Sequence, residues 1–251
     1  MSYLNCYFLQ KVYLKSFSGT DNLMIHLCLI TAISLCFYIV PAHAGRPMIV
    51  DDAGIVAANN CQLESWISHT SNINEYWAVP ACNLSGNLEV AIGRAKIDST
   101  SQTGYLTFLQ GKTLFKPLET NGWGVGLVYG NQSVIGRNGL GDMFATIPVS
   151  FSYLDGGLLI HTNLGLMRMK TSRQILKTWG LGTEVMLNDK STLTAEVFGQ
   201  ESQKPIAQIG MKHWLYKNQI QIDATYGNQS GNSGSGQIVT VGFVLFTDFN
   251  E

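Results

Sequence analysis

The chain has 251 residues, of which 13% are charged and 10% aromatic, with 26 glycines and a formal net charge of −1. Soluble domains carry about 25% charge, so this composition fits a wall facing lipid or a secreted β-sandwich, and near-neutrality excludes the basic footprint that nucleic-acid binding needs. No Pro/Ser-rich linker or shift in composition divides the chain, which reads as one domain.

The N-terminus carries an export signal. Leu27 to Val40 is almost continuously apolar, yet shorter than the roughly 20 residues a helix needs to cross a bilayer. Ala42-His43-Ala44 supplies a small-x-small cleavage pattern, so residues 1–44 are expected to be a cleaved signal peptide with Gly45 as the first mature residue. Met24 is an alternative start. Residues 45–60 hold a proline, paired acids and no sustained period, and read as an extended lead-in or a plug for the barrel mouth. Asp51-Asp52 is expected to be a solvated turn, with cation binding as the alternative.

Three cysteines, Cys6, Cys28 and Cys36, go with the leader, which leaves Cys61 and Cys82. An even pair in an oxidising compartment suggests a disulfide. Antiparallel pairing about a loop near Ser71 sets Cys61 opposite Cys82, within bridging range.

From Cys61 onward the sequence breaks into twelve segments of about ten residues, the length of a tilted transmembrane strand. They run from Cys61 to Thr70, Glu75 to Asn83, Asn87 to Lys96, Gly104 to Phe115, Trp123 to Gly130 and Asp142 to Tyr153. The second six run from Gly157 to Met169, Thr178 to Leu187, Thr192 to Gln200, Ile206 to Leu215, Gln219 to Gly227 and Gln237 to Phe249. Compact turns, with Asn-Gly at Asn121 and Asp-Gly at Asp155, alternate with connections that read as longer. That sorting predicts a single antiparallel up-and-down transmembrane β-barrel over residues 61–249, all-β, in which the last strand closes on Cys61 to Thr70. An open edge in lipid would strand backbone groups at several kcal/mol each.

Alternation assigns the faces. Leu158, Ile160, Leu164 and Leu166 are expected to meet lipid, as are Trp179, Leu181 and Val185 and, in the closing strand, Val239, Val241 and Phe243. The opposite faces collect a candidate lumen polar network of Lys112, His161, Asn163, Glu184, Glu196, Lys212 and Asp223. A salt-bridged interior that seals the barrel and a polar path for a solute are both open readings of it. The first strands fit less cleanly: Trp66 is out of step with Leu63 and Ile67, Pro80 interrupts its strand, and Arg94 shares a face with Val90 and Ile92.

No GxSxG, HExxH, Walker loop or dinucleotide fingerprint is present, so no enzyme activity and no cofactor is expected. Ser68 and His69 are adjacent on a strand and point to opposite faces. His161 with Asn163 lacks a second strong metal ligand in sequence, and reads as a hydrogen-bonded lumen histidine.

HTNLG (His161 to Gly165), WGLGTE (Trp179 to Glu184), TAEVFGQ (Thr194 to Gln200) and QIDATYG (Gln221 to Gly227) resemble recurring strand motifs of a Gram-negative outer-membrane family, the barrel transporters associated with the phenol-degradation meta-pathway. The resemblance covers mainly the last 130 or so residues. It implies an outer-membrane location and a channel or transport role, and brings no catalytic residues. The expected partners are outer-membrane lipids and the barrel-assembly machinery, with a small-molecule solute as the third candidate. The competing functions are a closed structural or adhesive barrel and a soluble periplasmic β-protein with a ligand cavity. Such barrels commonly end on an aromatic residue, whereas here Asn250 and Glu251 follow Phe249.

Overall fold

The structure is a computed structural model that describes residues 46–100, 102–136, 139–230 and 236–247. The expected signal peptide and the terminal Phe249 lie outside the described residues. Twelve strands occur among them: β1 (Asn60–Thr70), β2 (Ile73–Asn83), β3 (Glu89–Ser99), β4 (Thr103–Lys116), β5 (Trp123–Val134), β6 (Asp142–Tyr153), β7 (Leu158–Arg168), β8 (Ile175–Asn188), β9 (Ser191–Gln200), β10 (Ile206–Tyr216), β11 (Ile220–Gln229) and β12 (Gln237–Thr247). Each pairs with its sequence neighbours, and β12 closes on β1. The seam is antiparallel from Cys61 opposite Thr247 to Thr70 opposite Ile238.

The period of two decides which side of the wall each residue takes. In β7, Leu164 and Leu166 are exposed on the outside while His161 and Asn163 are buried inside, and in β12 Val239, Val241 and Phe243 alternate with buried Thr240, Gly242 and Val244. Exposed large apolar side chains occur on every strand, so the apolar layer of this molecule is its exterior, as a bilayer requires.

Pro80 is accommodated without a change of register. Cys61 and Cys82 face each other with Cα atoms 4.0 Å apart and are joined by a disulfide, a spacing typical of a pair without mutual backbone hydrogen bonds. Leu63 opposite Pro80 shares that phase, so the missing N–H of Pro80 points toward β3. There the ladder skips Val79 and Pro80 and resumes in the same register.

Two expectations shift in detail. The strands β3, β4, β5 and β8 run further toward the loop end than the alternation suggests, so the β3–β4 connection shrinks to residues 100–102 and β1–β2 turns at 71–72. Long connections at that end are the last four of the six, at 135–141, 169–174, 201–205 and 230–236. At the other end, Asn121 and Asp155 adopt φ of 55° and 56°. The side chain of Asn121 donates to Asp155 Oδ1 at 2.6 Å and accepts from the Asp155 N–H at 2.9 Å, tying the β4–β5 and β6–β7 turns together.

Candidate functional site: the lumen and its inner belt

Arg46 to Asn59 runs around the inside of the wall, meeting the strands in descending order. At its start, the Arg46 guanidinium reaches Asp223 Oδ1 of β11 at 3.5 Å and lies over the Trp66 ring of β1, with Cζ 4.1 Å from the centroid. The backbone N–H of Arg46 faces Glu64 Oε1 at 3.4 Å, and the Gln221 amide donates to the Arg46 carbonyl at 3.0 Å. Next, the N–H groups of Ile49 and Val50 both converge on the carboxylate of Glu196 in β9, at 2.9 and 2.6 Å. Asn163 of β7 then reads Asp51 as a strand neighbour would, accepting from its N–H and donating to its C=O, each at 2.7 Å.

Ala53 N–H donates to Ser150 Oγ of β6 at 2.7 Å. The Lys112 ammonium of β4 bridges Asp51 Oδ1 at 2.5 Å and Asp52 Oδ1 at 3.0 Å. Finally, Val56 is clamped on both sides: its N–H donates to Glu89 Oε2 of β3 and its C=O accepts from Asn83 Nδ2 of β2, each at 2.7 Å. Val50, Ala53 and Val56 are buried in consequence. Bonding this backbone to the wall's polar side chains spares both the cost of about 1–3 kcal/mol that each orphaned buried group carries.

The wall makes room for the belt where it is made of glycine. In the WGLGTE stretch, Trp179 and Leu181 face outward, while Gly180 and Gly182 face in beneath the belt. A Cβ on Gly180 would come within 2.6 Å of Val50 Cγ2, and one on Gly182 would overlap the end of Met48.

The candidate polar residues divide into groups. Lys212 Nζ pairs with Glu184 Oε2 at 2.5 Å, and His161 Nε2 lies 3.7 Å from Glu184 Oε1, beyond hydrogen-bond reach. The other ring nitrogen of His161 meets Ser150 Oγ at 2.8 Å. Glu196 also accepts a short hydrogen bond from the Gln208 amide. Lys112 and Asp223, in contrast, bond to the belt instead of to Glu184 or Glu196. The expected side-chain network across the interior is therefore largely routed through residues 46–59. Asp51-Asp52 is correspondingly an ion-paired station of the belt, where the sequence suggested a solvated turn.

Arg46, Glu64, Trp66 and Glu89 were not among the sequence candidates. Their signals were present in two cases: Glu89 sits opposite the Val90 and Ile92 face, and the apparent phase error of Trp66 is the inward turn of a ring that carries Arg46. Above Trp66 the inward aromatics continue, with Trp77 stacked on it at 5.3 Å and Phe108 5.9 Å from Trp77.

Comparison with solved structures places the fold among bacterial outer-membrane barrels. The KdgM porin superposes with a TM-score of 0.60 at 8% identity, covering 73% of this chain and 98% of that one. The COG4313 outer membrane channel from Pseudomonas putida F1 gives 0.57 at 9% identity, over 81% and 100%. The NanC porin gives 0.55 at 9% identity, over 75% and 100%. No curated protein matches the sequence. A family model does match, over residues 32–246, and the chain belongs to that family, described as "Uncharacterised conserved protein UCP029691".

Proposed function

We propose that the protein is an outer-membrane channel for small solutes whose lumen is narrowed by its own N-terminal belt, residues 46–59. The observation that carries this reading is the belt itself. A purely structural barrel of this size can fill its interior with side chains, whereas here glycines and paired polar groups accommodate a separate segment of the chain. The porin-like fold supports the same reading. Association with phenol degradation rests on the four strand motifs alone, so the solute is better argued from the lumen. The KdgM porin has been seen with oligogalacturonate, a polyanion, but the inward wall here presents Glu64, Glu89, Glu184, Glu196 and Asp223 against Lys112 and Lys212. That wall would repel a polyanion.

Planar-bilayer conductance of the mature chain and of Lys112→Met tests the proposal. Removing Lys112 leaves the half-buried carboxylates of Asp51 and Asp52 without their cation, and should loosen the belt. Small conductance in the wild type and a larger one in the variant are expected, with heat-modifiable gel mobility reporting that both barrels are folded. Silence in both folded proteins would refute a channel and leave the closed structural barrel.

A further inference from the structure

Arg46 occupies a cradle with the chemistry of a cation receptor. One face of its guanidinium lies on the indole of Trp66, and its edge meets Asp223, the combination of π-face and carboxylate that selects organic cations. Gly242 completes the cradle: a Cβ there would stand 3.0 Å from Arg46 Nε and crowd the guanidinium. The fit is incomplete. Arg46 reaches Asp223 only at 3.5 Å, and Asp223 Oδ2 is buried with no hydrogen-bond partner, as is Arg46 Nε. A buried carboxylate with an idle oxygen is a site whose capacity the chain's own arginine does not exhaust.

The surroundings have the same sign. Among the described residues, the wall presents the inward carboxylates Glu64, Glu75, Glu89, Glu184, Glu196 and Asp223 against the ammonium groups of Lys112 and Lys212. The belt adds Asp51 and Asp52 against Arg46 alone. The lumen is thus acidic whether the belt is seated or withdrawn, and inward acidic side chains favour cations in a pore. Several of these carboxylates hold the belt by accepting its N–H groups, which makes the belt a stand-in for a donor-rich solute.

We infer that the Trp66–Asp223 cradle is a subsite for the guanidinium or ammonium group of a small cationic solute, and that Arg46 fills it when the belt is seated. This rests on the channel reading only for the claim that such a solute passes through; occupancy of the cradle stands without it.

The test uses the full mature chain in detergent, with L-argininamide as the probe and calorimetry as the readout. Arg46→Ala should bind the probe at least about tenfold more tightly than the wild type, since the competitor is gone. Adding Asp223→Asn, or Trp66→Leu, to Arg46→Ala should abolish the gain, and N-acetylglutamate should not bind. Equal binding by wild type and Arg46→Ala, binding that survives both added substitutions, or no binding by a folded Arg46→Ala barrel would each overturn the inference. Argininamide binding by a protein that never conducts would uphold the cradle and sink the channel. Conductance without argininamide binding would do the reverse.

Discussion

Gly180 shows how much of the site depends on an absent side chain. Its inward position leaves space that Val50 fills, and burying a valine contributes about 1.5–3 kcal/mol. Gly180→Val would place a branched side chain in that space, against a neighbour too stiff to turn away. The expected result is a belt that spends more time off the wall, read as cleavage of residues 46–59 by proteinase K at a rate raised about tenfold or more, while the barrel remains resistant. Unchanged protection would mean that the belt is not held by packing at this point. Little of this was legible in advance. Alternation identifies Gly180 as inward, but a segment held by its own N–H and C=O groups leaves no side-chain pattern in its sequence. The lead-in between Arg46 and Asn59 therefore looked aperiodic. Its partners were easier to read because they sit on strands: Lys112, Asn163, Glu196 and Asp223 follow from parity, while Glu64 and Trp66 sat in the first of the strands whose phase was obscured.

At the scale of the elements, the β1–β2 hairpin combines three features: a disulfide, a proline opposite Leu63 and the root of the belt. Asn59 N–H donates to Asn83 O at 2.7 Å, next to the bridge between Cys61 and Cys82. Cross-linking a loop of this length restricts the unfolded chain and stabilises by about 2–4 kcal/mol. Cys61→Ala with Cys82→Ala should lower stability in lipid by about that amount, measured by urea unfolding, with the folded barrel still forming. A loss below about 0.5 kcal/mol would show that strand pairing already restrains this hairpin. The pairing was legible because two cysteines in one hairpin must meet if the register is right. The strand ends were not, because ladders continue past the point where hydrophobic alternation fades, as β3 and β8 do.

For the whole molecule, the inversion of polarity makes substitutions behave opposite to soluble proteins. Val241 is 58% exposed, which in water would make it tolerant of charge. Here Val241→Arg should cost about 2–4 kcal/mol if it lies near the bilayer midplane, read as a reduced yield of heat-modifiable barrel in vesicles. Full tolerance would contradict a lipid-facing seam. Closure itself carries a further consequence, for the order of assembly. The seam joins Cys61 to Thr247 across 186 residues of chain, while the disulfide spans only 21. Loop-closure entropy grows with separation, and non-local pairings form slowly. The hairpin can therefore be cross-linked while the far edge of the sheet is still open, and the last strand then docks against an edge already fixed in shape. Oxidation of Cys61 and Cys82 becomes an early clock mark in folding, and the belt, which pairs with neither edge, is able to settle after the wall is complete.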